Sequence, residues 1–235
     1  MANAFLVEGA KFVAEIGSDW EILHIVMSQS YAVTHHTNDA IVVADKIFAS
    51  LSDVASPQGI LAVVAQRDFP IEAVLGSASV FLLDDINDPG NLGTILRNCH
   101  GLGVGGVVLS PNCTDIYNPK VIRASAGSIF HIPFVTMGLY EAIKILQGKN
   151  TVIYATAADG EKAIYELDLC QPSAFVMGNE HHGVSQKIMG SADQTVKIPT
   201  ASESLNVSVA CAIIGYETLR QRKIGGKIYE STSEN

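Results

Sequence analysis

From residue 80 onward, short apolar runs alternate with longer amphipathic stretches. The runs at 80–83, 106–109, 132–135, 152–155, 174–177 and 195–198 predict buried strands. Between most of them, 92–102, 119–126, 139–147 and 185–189 predict helices. Uncharged strands alternating with helices predict an α/β fold with a parallel sheet covered on both faces. A final helix is predicted after Asn206. Leu205, Val209, Ile213 and Tyr216 share one of its faces, and Ala210, Cys211 and Ile214 form a second apolar face, a pattern for burial on more than one side. Arg220, Arg222 and Lys223 suit its last turns, and Gly225 with Gly226 ends it.

Before residue 80 the pattern is shorter and less regular. A helix is predicted over 8–16, with Phe12, Val13 and Ile16 facing inward, followed by a strand over 22–27. After a polar, histidine-rich stretch at 31–39 come a strand-like piece at 40–44, a helix at 46–51 and a buried strand at 59–65. His35 and His36 are adjacent, so on a helix they point apart and read as surface residues. These pieces predict a small αβ unit over 1–66. Pro70, Gly76 and the surrounding serines predict a linker over 67–79. The second domain is then 80–228, with a polar, disordered tail at 229–235.

Composition narrows the class. No apolar run reaches the length of a membrane span, and the first residues lack the basic-then-apolar pattern of a signal peptide. The four cysteines, Cys99, Cys113, Cys170 and Cys211, show no CxxC pairing and read as reduced core thiols of a cytoplasmic protein. A net charge of −9 argues against broad phosphate-backbone binding. The first 75 residues are the more acidic part, so any nucleic-acid contact must use local clusters such as Arg97 with Arg123, or Arg220, Arg222 and Lys223.

Three stretches place glycine, asparagine and a small hydroxyl or a charge just beyond a predicted strand. In the first, Asp88 can cap a helix with Pro89 at its first position. Gly90, Gly93 and Arg97 align on the side away from the core stripe, which allows a backbone or a ligand to come close. In the second, a strand runs into Gly178, Asn179 and Glu180, at the end of a parallel strand where ligands bind in open sheets. Glu180 suits a base, an acceptor or an ion pair. His181 and His182 diverge and lack a third ligand at metal spacing, so no metal site is predicted. In the third, Ser204 and Asn206 stand where the last helix begins, either as caps or beside free helix N–H groups at a ligand site. Gly101, Gly103 and Gly106 match GxGxxG, but follow a helix and lead into a strand, the reverse of a dinucleotide fingerprint.

Together NDPGNLGTILRNC, FVMGNEHHGVS and IPTASESLNVSVA resemble the three motifs of the SpoU (TrmH-like) family of RNA ribose 2′-O-methyltransferases. VIRASAGSIFHIPF is similar to the family between the first two motifs, and FLVEGAKFV and SPQGILAVV resemble its small N-terminal substrate-binding domain. The resemblance implies a deep trefoil knot of the SPOUT type in the C-terminal domain, bound S-adenosylmethionine, and a homodimer that completes the active site.

It also implies roles for particular residues. Asn91 and Arg97 match the polar pair of the first motif, Glu180 the acid of the second, and Ser204 and Asn206 the SLN of the third. The cofactor would lie against Met177, Gly178, Ile198, Pro199, Leu205 and Asn206. Arg97 and Arg123 would contact RNA. Arg97 is either the base for the ribose hydroxyl or a clamp on the adjacent phosphate; Glu180 and Asn91 would orient it or the ribose. The loop between Pro199 and Ser204 is shorter than the family pattern and lacks its common glycine, which affects 200–203 most. The basic lead-in before FLVEG carried by many relatives is missing, so lower RNA affinity is expected. Ribosomal RNA is the expected substrate, ahead of transfer RNA. The rival readings are a non-catalytic RNA- or ribosome-binding protein with this fold, and a nucleotide-binding α/β enzyme of another kind.

Overall fold

The computed structural model describes residues 3–35, 39–52, 54, 56–201 and 204–224. Two sheets make up the molecule. The N-terminal sheet has the order β1-β4-β2-β3, formed by β1 (Ala4–Glu8), β2 (Ile22–Ser28), β3 (Ile41–Val43) and β4 (Ile60–Ala65). β4 is antiparallel to both β1 and β2, and β3 is parallel to β2. Three short helices accompany it: α1 (Ala10–Ala14), α2 (Gln29–Ala32) and α3 (Asp45–Leu51).

The second sheet has seven strands: β5 (Ser79–Leu83), β6 (Gly106–Leu109), β7 (Phe134–Thr136), β8 (Val152–Thr156), β9 (Lys162–Ala163), β10 (Ser173–Met177) and β11 (Gln194–Lys197). Its order is β7-β6-β5-β10-β8-β11-β9, and every pair is parallel. β5, β6 and β10 are buried at every position, which is why they read as uninterrupted apolar runs. On one face lie α5 (Pro89–Leu102), α6 (Pro119–Ser125) and α9 (Val207–Ile224), which share a core with Phe81, Leu83, Phe175 and Met177. On the other face α4 (Ile71–Leu75), α7 (Leu139–Gly148) and α8 (Gln186–Met189) pack over Val80, Leu82, Val108 and Val176.

Several expectations are corrected. Glu8 belongs to β1, which alternates buried and exposed positions against β4. Gly9 breaks the chain with φ at 101°, so the helix is confined to Ala10–Ala14. The stretch 67–79 is not simply a linker: it holds α4, and Val74 and Leu75 are buried in the second core. The strand expected over 132–135 starts later, at Phe134, after Pro133. α5 starts at Pro89, with Asp88 capping it by accepting from the Asn91 amide at 2.7 Å. Residues 36, 202–203 and the 225–235 tail, including the Gly225–Gly226 stop, lie outside the described residues; His35 stacks on Tyr31 with ring centres 4.0 Å apart.

The two sheets share one continuous core. Phe5, Val7, Trp20, Ala62 and Val64 belong to the same cluster as Phe130 and Phe134. Trp20 donates Nε1–H to the Phe130 carbonyl at 3.2 Å. The Tyr117 hydroxyl donates to the Arg67 carbonyl and accepts from the Arg67 amide, both at 2.9 Å. Arg67 pairs with Asp19, which holds that carboxyl below its usual range, and lies over the Phe69 ring at 4.6 Å.

Arg222 is buried, contrary to its expected place in an RNA-facing cluster. Its guanidinium donates to the carbonyls of Leu169 at 2.9 Å, Ala78 at 2.8 Å and Gln171 at 3.2 Å, fastening α9 to the amino end of the sheet. Arg220 is held by Glu217 one turn away. No helix among the described residues is long and apolar enough to cross a membrane.

Candidate active site

The strand order reverses between β5 and β10: β6 and β7 lie to one side of β5, while β8, β9 and β11 lie beyond β10. Ligands of open α/β sheets bind outside the carboxyl ends of strands at such a point. Here those ends are Asp84 with Asp85 after β5, and Gly178 with Asn179 after β10.

Polar side chains fix this edge. The buried Asp84 carboxylate accepts from the Ser185 amide at 2.8 Å. Asp85, with φ at 57°, accepts from the Ser110 hydroxyl at 2.6 Å. Asn179 donates Nδ2–H to the Asp85 carbonyl at 2.7 Å, while its Oδ1 accepts from the amides of His181 and His182 at 2.9 and 3.3 Å. Backbone bonds of 3.0 and 2.9 Å between Asn179 and Gly183 close a tight turn carrying Glu180 and both histidines. Asp84, Asp85 and Asn179 escaped the sequence reading as site-builders, because their partners lie far away in sequence.

Across this edge runs a chain of hydrogen bonds joining three distant segments. Asn206 Nδ2 donates to Asn91 Oδ1 at 2.9 Å, and Asn91 Nδ2 donates to Glu180 Oε1 at 2.9 Å. Glu180 also accepts from the amides of Asp88 at 3.3 Å and Asn87 at 3.5 Å, at the start of α5. Asn206 caps α9 by accepting from the Ser208 amide at 2.9 Å. One heptad beyond Asn91, Asn98 donates to the Ser208 carbonyl at 2.8 Å and ties α5 to α9 a second time.

The expected residues do not all converge. A cleft of about 780 Å³ opens at the ends of β8, β10 and β11. Met177, Gly178, Ile198, Pro199, Leu205 and Asn206 all line it, together with Glu180, His181 and Ser204. Arg97 is exposed on α5 outside this wall and has no polar partner among the described residues. Arg123 lines a small pocket between α6 and the N-terminal sheet, beside Leu6, Glu8 and Leu51. The Gly93 side of α5 is not open for a ligand. A Cβ there would press on Ala124 and on the α6 backbone, so this glycine serves helix packing. A Cβ on Gly178 would likewise collide with the backbone of Gly183 and Val184 rather than fill the cleft.

The cleft suits a ligand with both a flat apolar part and a polar part. Its volume falls in the range of roughly 300–1,000 Å³ usual for small-molecule sites. Met177, Ile198, Leu205, Val207 and Ile214 give an apolar wall, and the strand ends add backbone donors and acceptors. These are the features an S-adenosylmethionine site requires. Among the described residues no three metal-ligating side chains come together.

A parallel sheet with such a cleft at its reversal point defines an α/β protein that binds a small nucleotide-like ligand beside a polar, asparagine-rich edge. Residues 78–216 match the SpoU rRNA Methylase family and residues 1–62 match the MRM3-like substrate binding domain; the chain belongs to the SpoU family. It is 31% identical over 220 residues to the 23S rRNA (guanosine(2553)-2′-O)-methyltransferase RlmP of Bacillus subtilis, covering 91% of this chain and 88% of that one. Its fold matches the SpoU methyltransferase AviRb of Streptomyces viridochromogenes in complex with AdoMet, with a TM-score of 0.84 and 26% identity over 94% of this chain and 91% of that one. It also matches the AdoMet-bound rRNA methyltransferase of Sinorhizobium meliloti, with a TM-score of 0.80 and 27% identity over 93% and 87%.

Proposed function

We propose that this protein transfers the methyl group of S-adenosylmethionine to a ribose 2′-hydroxyl of ribosomal RNA. The observation that carries this is the chain Asn206–Asn91–Glu180 at the mouth of the cleft, which brings three family motifs into one hydrogen-bonded unit. The names of the relatives, 23S rRNA methyltransferases among them, favour ribosomal over transfer RNA.

When bound, the cofactor supplies an electrophilic methyl carbon on a sulfonium. The apolar wall and strand-end backbone would hold it, and Ser204, Leu205 and Asn206 would shape the loop over it. Glu180 and Asn91 hold the start of α5 and the start of α9 at a fixed separation, so that groups on both helices meet the substrate in one geometry. Arg97 supports phosphate or ribose binding: it is exposed, without a polar partner among the described residues, and its planar fork suits phosphate. Arg123, beside the N-terminal sheet, suits a more distant RNA contact. Residues 1–66 would bind substrate.

Two further expectations belong to this reading. α9 exposes Val209 and Tyr216, 47% and 60% accessible, on one face. A second copy covering that face would place a homodimer interface beside Arg97. The knot is supported by the path of the chain, which leaves β10 in mid-sheet, reaches β11 beyond β8, and returns to α5 through α9. A ribosomal RNA substrate implies action in the cytoplasm.

The test uses the purified protein, labelled S-adenosylmethionine and an unmodified 23S rRNA transcript. Label should enter the RNA and map to one alkali-resistant 2′-O-methyl linkage. RNA binding without transfer, or label in a base, would overturn the assignment.

A further inference from the structure

Methylation of a hydroxyl releases a proton, and no residue has yet been assigned to take it. Resting on the function proposed above, we infer that His181 is the proton acceptor for the ribose hydroxyl. The charged or titratable groups lining the cleft among the described residues are Glu180, His181 and Lys197. Both Glu180 oxygens are already engaged, by Asn91, Asp88 and Asn87. The ammonium of Lys197 and the guanidinium of Arg97 offer donors and no acceptor. Imidazole is the side chain whose ordinary titration range spans neutral pH and whose neutral ring carries a free lone pair.

The placement of His181 fits this role. Its ring nitrogens have no hydrogen-bond partner among the described residues, whereas its amide is fixed to Asn179 Oδ1 at 2.9 Å. The turn that carries it is pinned to the end of β5 through Asn179. A rigid backbone thus presents a free imidazole at the cleft mouth, next to the carboxylate that holds α5. The other titratable neighbour is His182, whose ring centre is 6.3 Å away. In the step assigned to His181, the ribose oxygen bonds to the methyl carbon while the carbon–sulfur bond breaks and leaves its electron pair on sulfur. The hydroxyl proton passes to the neutral imidazole and then to water.

Single-turnover transfer to the unmodified 23S rRNA transcript should rise with pH by about tenfold per unit and level off near neutrality. In His181→Ala the rate should fall by roughly 10²- to 10⁴-fold, the span of general base catalysis, and the inflection should vanish. Calorimetric S-adenosylmethionine affinity should stay within about threefold, and His182→Ala should keep both rate and profile. A readout independent of turnover is carbethoxylation of His181, followed by peptide mass spectrometry. Bound transcript should protect it in the cofactor-free protein. A His181→Ala enzyme that keeps its rate, or one that loses rate but keeps the wild-type pH profile, overturns the inference, as does an unprotected His181. If the wild type transfers no methyl group, the function proposed above fails and takes this inference with it.

Discussion

Alanine at position 93 tests how closely α5 and α6 approach. In a helix interior the Gly→Ala exchange ordinarily stabilises by about 1 kcal/mol, because glycine loses more backbone freedom on folding. At Gly93 the new Cβ would press on the Ala124 Cβ and come within 2.7 Å of the Val121 carbonyl oxygen and 2.9 Å of the Ser125 nitrogen. Two of these are backbone atoms and cannot rotate aside. Overpacking of this kind costs about 1–3 kcal/mol, so the upper end less the helix gain leaves a net loss of about 2 kcal/mol. Gly101 is the internal control on the same helix: nothing lies within 4 Å of its Cβ. Gly101→Ala should therefore stabilise by about 0.5–1 kcal/mol. In a chain of this size each kcal/mol moves Tm by about 2–4 °C. Scanning calorimetry should place Gly93→Ala about 4–8 °C below wild type and Gly101→Ala about 1–4 °C above it. A Gly93→Ala protein that melts at or above wild type would refute the packing argument.

Arg97→Ala should leave the Tm and S-adenosylmethionine affinity near wild type while methyl transfer falls by orders of magnitude. Arg97→Lys separates charge from fork geometry, and near-wild-type transfer by Arg97→Ala removes the residue from the mechanism. Gly178→Val should displace the turn at 179–183 and abolish calorimetric cofactor binding, and an unchanged affinity in a folded variant contradicts the cleft assignment. Burial pushes the Cys99 and Cys211 thiols well up, so both stay protonated at pH 8. Ellman's reagent should miss both in the native protein and reach them in guanidinium, whereas four fast thiols in the native state would contradict the buried α5–α9 contact.

The strands of the large sheet were legible because burial on both faces leaves no polar alternation to blur them. β1 was not, since its five residues run directly into a helix through Gly9 and carry only short alternation. α4 was hidden by the proline and glycine at its two ends, which are caps rather than signs of a linker. The sequence placed Asn91, Glu180 and Asn206 at the edges of elements, but their mutual contact depends on strand order, which local pattern does not encode. Gly93 shows the same limit: its alignment with Arg97 was visible, while the partner was α6 rather than a ligand. Asn98 gave no signal at all, since an asparagine within a helix looks like any surface residue until α9 lies across it.

The pairing of β5 with β10 has a consequence for synthesis. Asn179 and Asp85, just past the two strands, are 94 residues apart in sequence. At ordinary translation rates roughly 5–20 s separate their appearance. During that interval β5, β6 and β7 can associate, while the apolar outer edge of β5 waits for a partner not yet made. An unpaired apolar edge is a template for association with other chains. The strand that closes the middle of the sheet also delivers Glu180, so the nascent chain loses its sticky edge and gains the carboxylate of its candidate site in the same event.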